Sequence, residues 1–530
     1  MKNVLLSILA LGLMAVCCVS CEKDQKDDAE YQERINQDYG RFATDGHRYK
    51  VQGNTATVSL PAAGDGNDYD WHFMMTSYVI PEKVEIDGKI YTVTGIGEWA
   101  FNGCSKLASV TIPQTITTIG QGAFEKCVSL RSIIIPEGVT SIGDGVFQGC
   151  TSLTSITLPN SLQTLGVYVF GDCSSLTSIS IPAGVVTMGE QILADCTSLQ
   201  SATFSCKKIP SSVFGGHIGC PNLKEVVLNE GVESIGDAVF MNCTGLTSLT
   251  LPASLKSIGY NIFQGCTGLT SLKILCPEIN FENLGLYDNK NLTSMELHCK
   301  TITRLNCESL TEVLLGNEVE TIGEGAFSGC SKLASISFPS SLTTIGNYAF
   351  GECKGLTSIE IPASVTNMGE SVFSGCTGLT SLKVSCKEII GKHAFAGMEN
   401  LTELILGEGV ETIGENAFSS LRSLTEITIP NSVKTIGKDA FSWCENVKSL
   451  TIGSGVTYIG ARAFAGSSVM KDVYCYAEVV PEIPSSQDSM DGPPFEWWHY
   501  ENTTLHVPAA SVAAYKAHKE WGQFKNIVAM

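Results

Sequence analysis

Basic residues are scarce in this chain: 34 against 54 acids over 530 residues, for a net charge of −20. A nucleic-acid binder needs a basic stripe to neutralise phosphates, so that class is excluded. Charge of either sign is sparse, at 17% against the usual quarter. Aromatics reach only 8%. Beyond the N-terminus no apolar run is long enough to cross a membrane, a crossing needing roughly 18 residues or more. The eight histidines, from His47 to His518, share no common place in the sequence. Only His499 and His506 lie near one another, and no nucleophile, base and orienter set can be drawn. What the chain does have is 43% apolar residues, enough for a folded core, with 52 glycines and 21 cysteines. Glycines among short apolar runs imply many tight turns.

The first segment reads as an address. Lys2 is followed by a 13-residue apolar run at 4–16, too short for an ordinary span and suited to a signal-peptide core. Ser20-Cys21 closes it. This arrangement resembles a bacterial lipoprotein signal, in which Cys21 would become the acylated first residue. Cys18 stands where that pattern usually has Leu. A plain cleaved secretory signal is the other reading. Residues 22–38 hold ten charged residues, seven of them acidic, and cannot bury enough surface to fold alone. Lys26-Asp27-Asp28 is similar to the short acidic export signal of surface lipoproteins in the Bacteroides group.

A 23-residue repeat organises the rest. Ile-Gly pairs begin at Ile96, Ile119 and Ile142, and the series runs on to Ile459. Five residues after each comes an aromatic, as at Phe101, Phe124, Phe147 and Phe170, and three residues further on usually a Cys. A strand-like stretch follows, such as Leu153-Thr-Ser-Ile-Thr-Leu-Pro159, in which alternation buries Ile156 and Leu158 on one face. Pro159 ends the strand, and Gly166 is expected to permit a backbone conformation that a side chain would oppose. One unit has no closed core, whereas stacked copies bury a continuous one. About 17 units lie between Ile96 and Cys475. At ~4.8 Å per parallel strand they predict a rod or shallow arc on the order of 80 Å long.

The consensus I-G-x-x-A-F-x-G-C-x-x-L-x-S-I-x-I-P resembles the BspA-like, treponemal type of leucine-rich repeat over roughly residues 80 to 530. The resemblance implies a right-handed, β-dominated solenoid of short parallel strands, capped at both ends, displayed on the bacterial surface for adhesion or host-protein binding. The expected layout is a signal at 1–21, an acidic tether at 22–45, an N-terminal β cap at 46–95, the solenoid at 96–469 and a C-terminal cap at 470–530. From Phe281 to Leu310 the Phe and Cys places are lost, which predicts a local kink or change of curvature.

Twelve cysteines occupy one repeat column, among them Cys104, Cys127, Cys150, Cys353 and Cys376. Stacked neighbours would be close enough for disulfides. The same column holds Met398 and Leu421, which replace a packing thiol but not half a bridge, so the column reads as buried thiols. A second set, Cys206, Cys276, Cys299 and Cys386, takes strand ends. Gly143-Asp-Gly145 and Gly323-Glu-Gly325 are repeat turns without the spacing of a phosphate loop. Asp65-Gly-Asn-Asp-Tyr-Asp70 lacks the spacing of a calcium loop and reads as a hairpin turn. No cofactor, metal site or catalytic residue is expected.

Two positions per strand point outward. The first holds Ser in twelve coils and an acid in five: Glu225, Glu312, Glu403, Glu426 and Asp472. The second varies from coil to coil, and Lys273, Glu296, Glu360 and Lys383 mark its most charged stretch, a candidate contact face. Near the end, Pro493-Pro494-Phe495-Glu496-Trp497-Trp498-His499-Tyr500 offers Trp497, Trp498 and Tyr500 either as a platform for a sugar or protein or as cover for the open end of the sheet. The expected function is a non-catalytic adhesion or binding protein, lipid-anchored on the outer membrane and facing outward. Its partners would be host or bacterial surface proteins, with glycans as a further class and no nucleic acid. A glycan-capturing lipoprotein of a polysaccharide system and an envelope scaffold without soluble ligand are the alternatives. Replacing the acylated residue, Cys21→Ala, should move the protein from the membrane to the soluble fraction of disrupted cells. An unchanged distribution would refute the anchor.

Overall fold

The computed structural model describes residues 40–59, 74–389, 391–484 and 492–530. The signal segment, Cys21, the acidic tether up to residue 39 and the Asp65–Asp70 turn lie outside the described residues. The chain divides into two compact units, residues 1–176 and 177–530. Both are β-solenoid, built of short parallel strands with little helix.

In the first unit the N-terminal cap is a set of hairpins. Arg41–Phe42 pairs antiparallel with Arg48–Gln52, which pairs with Thr55–Val58. Lys83–Ile86 folds back on Lys89–Ile96. Gly40 to Asp45 therefore belong to the cap, not to the tether. Their backbone is bonded to the second strand, and Asp45 accepts a 2.8 Å hydrogen bond from the buried Tyr49 hydroxyl. The end of Lys89–Ile96 then becomes the first rung of a parallel ladder with Thr118–Ile119, Ser141–Ile142 and Thr164–Leu165. Ile-Gly repeats thus form one wall of the solenoid. The opposite wall carries the longer strands, such as Ser132–Ile134 beside Ser155–Thr157, with Ser beside Ser and Ile beside Ile.

The second unit repeats this plan. Ser248–Leu251, Ser271–Ile274, Ser294–Leu297 and Glu312–Leu315 form one ladder without a shift of register. That ladder runs through the degenerate region in register, whereas the short-strand wall is interrupted there, between Ser257–Ile258 and Thr301–Ile302. Two 3-10 turns, Phe281–Leu284 and Leu286–Asp288, replace the regular Phe turn, bury Phe281, Leu284 and Leu286, and accept the Phe263 N–H at the Leu284 carbonyl, 2.9 Å.

A third wall joins the other two and carries the most demanding hydrogen bonds. In the regular turns three alternate N–H groups donate to the next coil: Tyr348 to the Glu370 carbonyl at 3.0 Å, Phe350 to Val372 at 2.9 Å, and Glu352 to Ser374 at 2.7 Å. This aim is achieved by placing the residues on either side of Phe350 in the left-handed region, Tyr348 at φ 51° and Glu352 at φ 60°. Such a backbone disfavours side chains, yet it recurs at Tyr168 and Asp172 and at Asp439 and Trp443. The glycine of each Ile-Gly pair has a different reason from the one expected. Gly166 is not in the left-handed region. A Cβ there would lie 2.4 Å from the Asp144 backbone nitrogen, so the glycine permits the close approach of neighbouring coils.

The central Phe of each turn points inward and stacks. Phe101, Phe124, Phe147 and Phe170 form a near-parallel column at 5.0–5.7 Å between centroids, and Tyr78 closes its N-terminal end at 5.3 Å. In the second unit the rings from Phe327 to Phe464 stack at 5.1–5.8 Å. The cysteine column runs beside them. All 18 cysteines of the described residues are free and buried. They are more than small hydrophobes: the Cys353 thiol donates to the Phe327 carbonyl at 3.1 Å and Cys376 to Phe350 at 3.0 Å. Each such carbonyl also accepts the N–H of its own coil's Cys, so the thiol satisfies its second lone pair. Cys206 and Cys386 in the second set bond within their own coils.

Phe350 is fully buried between Phe327 and Phe373. Phe350→Ala should lower unfolding stability by about 3–5 kcal/mol in denaturant titration. A loss within error of zero would mean that the column is not core.

Candidate functional site

The exposed wall of the second unit holds a concavity of about 570 Å³ running from Lys224 to Leu314. Its shape follows from the repeat. Small serines, Ser248, Ser271 and Ser294, occupy the outward position that Glu225 and Glu312 fill at the two ends. Beside them runs the second outward column: Val227, Thr250, Lys273, Glu296 and Leu314. The result is a serine-floored tray with an acid at each end and chemically varied side chains along one side.

Lys273 and Glu296 are directly opposed on neighbouring strands and form an ion pair at 2.8 Å. The same Glu296 oxygen meets His298 Nε2 at 2.8 Å, and His298 Nδ1 meets Glu318 at 2.9 Å. Lys273 first, then His298, hold the Glu296 carboxyl below its usual range. Glu360 and Lys383 form a separate ion pair at 2.7 Å, again directly opposed, and they do not line the concavity. The structure therefore brings the four charged candidates together as two pairs, not as one cluster. Exposed pairs of this kind stabilise a fold by only ~0–1 kcal/mol, so stability does not explain their placement.

The C-terminal candidates part company. Trp497 is 71% exposed, whereas Tyr500 is 7% exposed and packs edge-on against Phe524 at 5.0 Å. Tyr500 therefore cannot share a surface platform with Trp497, which corrects that expectation. Trp498 is half-buried and stands at 82° to the Trp497 ring, so the two do not make one flat surface.

The segment around them completes the last coil. That coil's turn presents the N–H groups of Arg462, Phe464 and Gly466. They are received by the Pro493 carbonyl at 3.1 Å, the Pro494 carbonyl at 3.1 Å and the Glu496 carboxylate at 2.7 Å. Proline has no N–H of its own to leave unpaired at this end. Phe495 stacks on Phe464 at 5.4 Å and ends the column against Trp521 and Phe524. Phe464 is thus covered on both sides, by Phe441 and Phe495. Sequence reasoning missed Phe495 because it lies beyond the 23-residue period. The signal available was an aromatic within a Pro-Pro segment after the last Ile-Gly pair. The chain then adds Thr504–Val507 and Asn526–Ala529 as further parallel strands of the exposed wall. Among the described residues no three His, Cys, Asp or Glu side chains are grouped to hold a metal ion.

The sequence from 94 to 485 matches, in four overlapping stretches, the family described as BspA type leucine rich repeat region. A comparison with curated proteins finds no match. Among solved structures the chain is similar to a leucine-rich repeat protein from Bacteroides ovatus, with 27% identity, TM-score 0.33, and coverage of 81% of this chain and 92% of that one. A leucine rich cell surface protein from Faecalibacterium prausnitzii shows 23% identity, TM-score 0.34, and coverage of 81% and 93%. A Treponema pallidum leucine rich repeat protein shows 26% identity, TM-score 0.32, and coverage of 43% and 90%.

The C-terminal cap also contains a proton-sensitive latch. His499 is buried, accepts the Glu496 N–H at Nδ1 and meets the Ser467 carbonyl through Nε2. Burial pushes its pKa down from 6.5 to about 4. Between those values the unfolded chain binds the proton and the folded cap does not. The contribution is therefore complete above pH 6.5 and is lost as pH falls towards 4, by about 1.4 kcal/mol per unit. His499→Gln should flatten this part of the stability–pH curve relative to the parent chain. Parallel curves over that window would rule the latch out.

Proposed function

The chain belongs to the BspA-type leucine-rich-repeat family, and from that premise we propose that it is a non-catalytic surface protein that binds macromolecules of a host or a neighbouring cell through its exposed strand wall. Repeat proteins of this type are often used for surface binding, and solenoids of this class are generally protein-binding scaffolds. Such proteins are typically found at the cell surface. No helix of the described residues is long and apolar enough to cross a membrane. Attachment through a lipid on Cys21 to the outer membrane, facing outward, completes the reading.

One observation carries the proposal. On the wall from Lys224 to Leu314 one outward column stays small or acidic while its neighbour changes from coil to coil, above a concavity large enough to seat an extended chain. Stability requires no such variety, since the inward positions alone hold the coils together. Variation confined to an outward column is what selective contact with a partner requires. The partner would be a protein segment that meets Glu225 and Glu312 with basic groups and spans the Lys273–Glu296 pair between them.

An array of matrix proteins, bacterial surface proteins and glycans, probed with the purified full chain, tests this. A protein ligand should be retained by the parent and weakened about tenfold or more by Lys273→Ala combined with Glu296→Ala. It should also weaken as salt rises. Glu360→Ala with Lys383→Ala should reveal whether the second pair extends the face. Silence across the array would favour an envelope scaffold, and turnover of any array component would overturn the non-catalytic assignment.

A further inference from the structure

The turn wall near the C-terminus carries a second surface that the exposed strand wall does not share. Trp443 stands two residues after Phe441 at φ 62° and is 51% exposed. In the next coil the corresponding place is Gly466, and a Cβ there would come within 2.9 Å of the Trp443 ring. The indole thus lies against a glycine of the following coil, with about half of its surface left to solvent. One step further, two residues after Phe495, stands Trp497 at 71% exposure. The three places follow the Phe column, whose successive intervals here are 5.8 and 5.4 Å. The two exposed indoles are therefore two coils apart, about the length of two pyranose rings end to end.

Polar groups flank this row. Four residues before Trp443 the same turn carries Asp439, paired with Arg462 at 3.2 Å. Two residues after it comes Glu445, reached by Arg422 at 3.5 Å. Carboxylates and guanidinium groups at the margin can take up hydroxyls as acceptors and donors respectively.

We propose that Trp443, Gly466 and Trp497 form a ledge that binds a neutral glycan chain, with alternate sugar rings lying on the two indoles. A pyranose presents an apolar face of C–H groups and a rim of hydroxyls. The first suits an aromatic ring, and the second suits the ionic pairs beside it. An indole held against a glycine and half exposed offers open surface, whereas a protein anchor needs a pocket to enter. The proposal is independent of the strand-wall concavity and uses different residues.

The test is titration of the full chain with cellohexaose, xylohexaose, mannohexaose and maltohexaose, followed by tryptophan fluorescence and calorimetry. At least one should bind, and Trp443→Ala and Trp497→Ala should each weaken it by about tenfold or more. Trp443→Phe should retain part of the affinity, and Tyr260→Ala, an exposed aromatic outside the ledge and the concavity, should leave it unchanged. Trp497 is largely exposed, so its variant decides the matter even if Trp443→Ala fails to fold. The ledge is refuted if none of the four binds, or if Trp497→Ala binds as tightly as the parent. It is also refuted if the tryptophan variants lose a protein ligand while sparing the sugars.

Discussion

In the regular turns three N–H groups point along the stack and have no partner within their own coil. This directional demand governs the architecture. A buried donor left unpaired costs about 1–3 kcal/mol, so each turn requires another coil beyond it. It also explains why non-glycine residues such as Tyr348, Glu352 and Trp443 accept left-handed backbone. Only that geometry turns alternate amides towards the next coil, and the hydrogen bonds formed offset the strain. The same demand explains the end of the array. Prolines with carbonyls but no N–H, followed by a carboxylate, receive the last three donors without presenting new ones.

Once the coils are held at this spacing, chemically equal positions become columns. The Phe column stacks at near-ideal aromatic distances, and where the next coil carries a Cys, as at Cys353 and Cys376, its thiol donates to the Phe carbonyl. Thiols such as Cys353 and Cys376 donate to carbonyl oxygens of the preceding coil, and the column stays free of disulfides. Columns also pattern the surface. An outward residue has as its nearest neighbours its counterparts in adjoining coils, so Lys273 faces Glu296 and Glu360 faces Lys383 by register alone. A substitution in one outward place changes a row on the surface without disturbing the core, which separates recognition from stability.

Much of this was legible from the chain alone. Ile-Gly, Phe, Cys and the alternating strand recur with a fixed period, and a period reports which face is buried because each coil meets the same neighbours. Repeat class, parallel strands, buried thiols and outward columns followed from it. The tray from Glu225 to Glu312 was only half legible: its acids and serines were visible as one column, but the concavity between them needed coordinates.

The sequence by itself determined which positions repeat and which of them are buried, because a periodic pattern is satisfied by periodic contacts. The tertiary structure alone decided what occurs once. Pro493, Pro494 and Phe495 lie off the period, and only their docking on the final coil shows them to be its missing neighbour. Tyr500 and Trp497 are three residues apart on the short helix Trp497–Asn502, yet one is buried and the other exposed, because Tyr500 is covered by Phe524 while Trp497 starts the helix at the surface. The reason for Gly166 likewise lies in a backbone 22 to 23 positions away, which no local reading of the chain can supply.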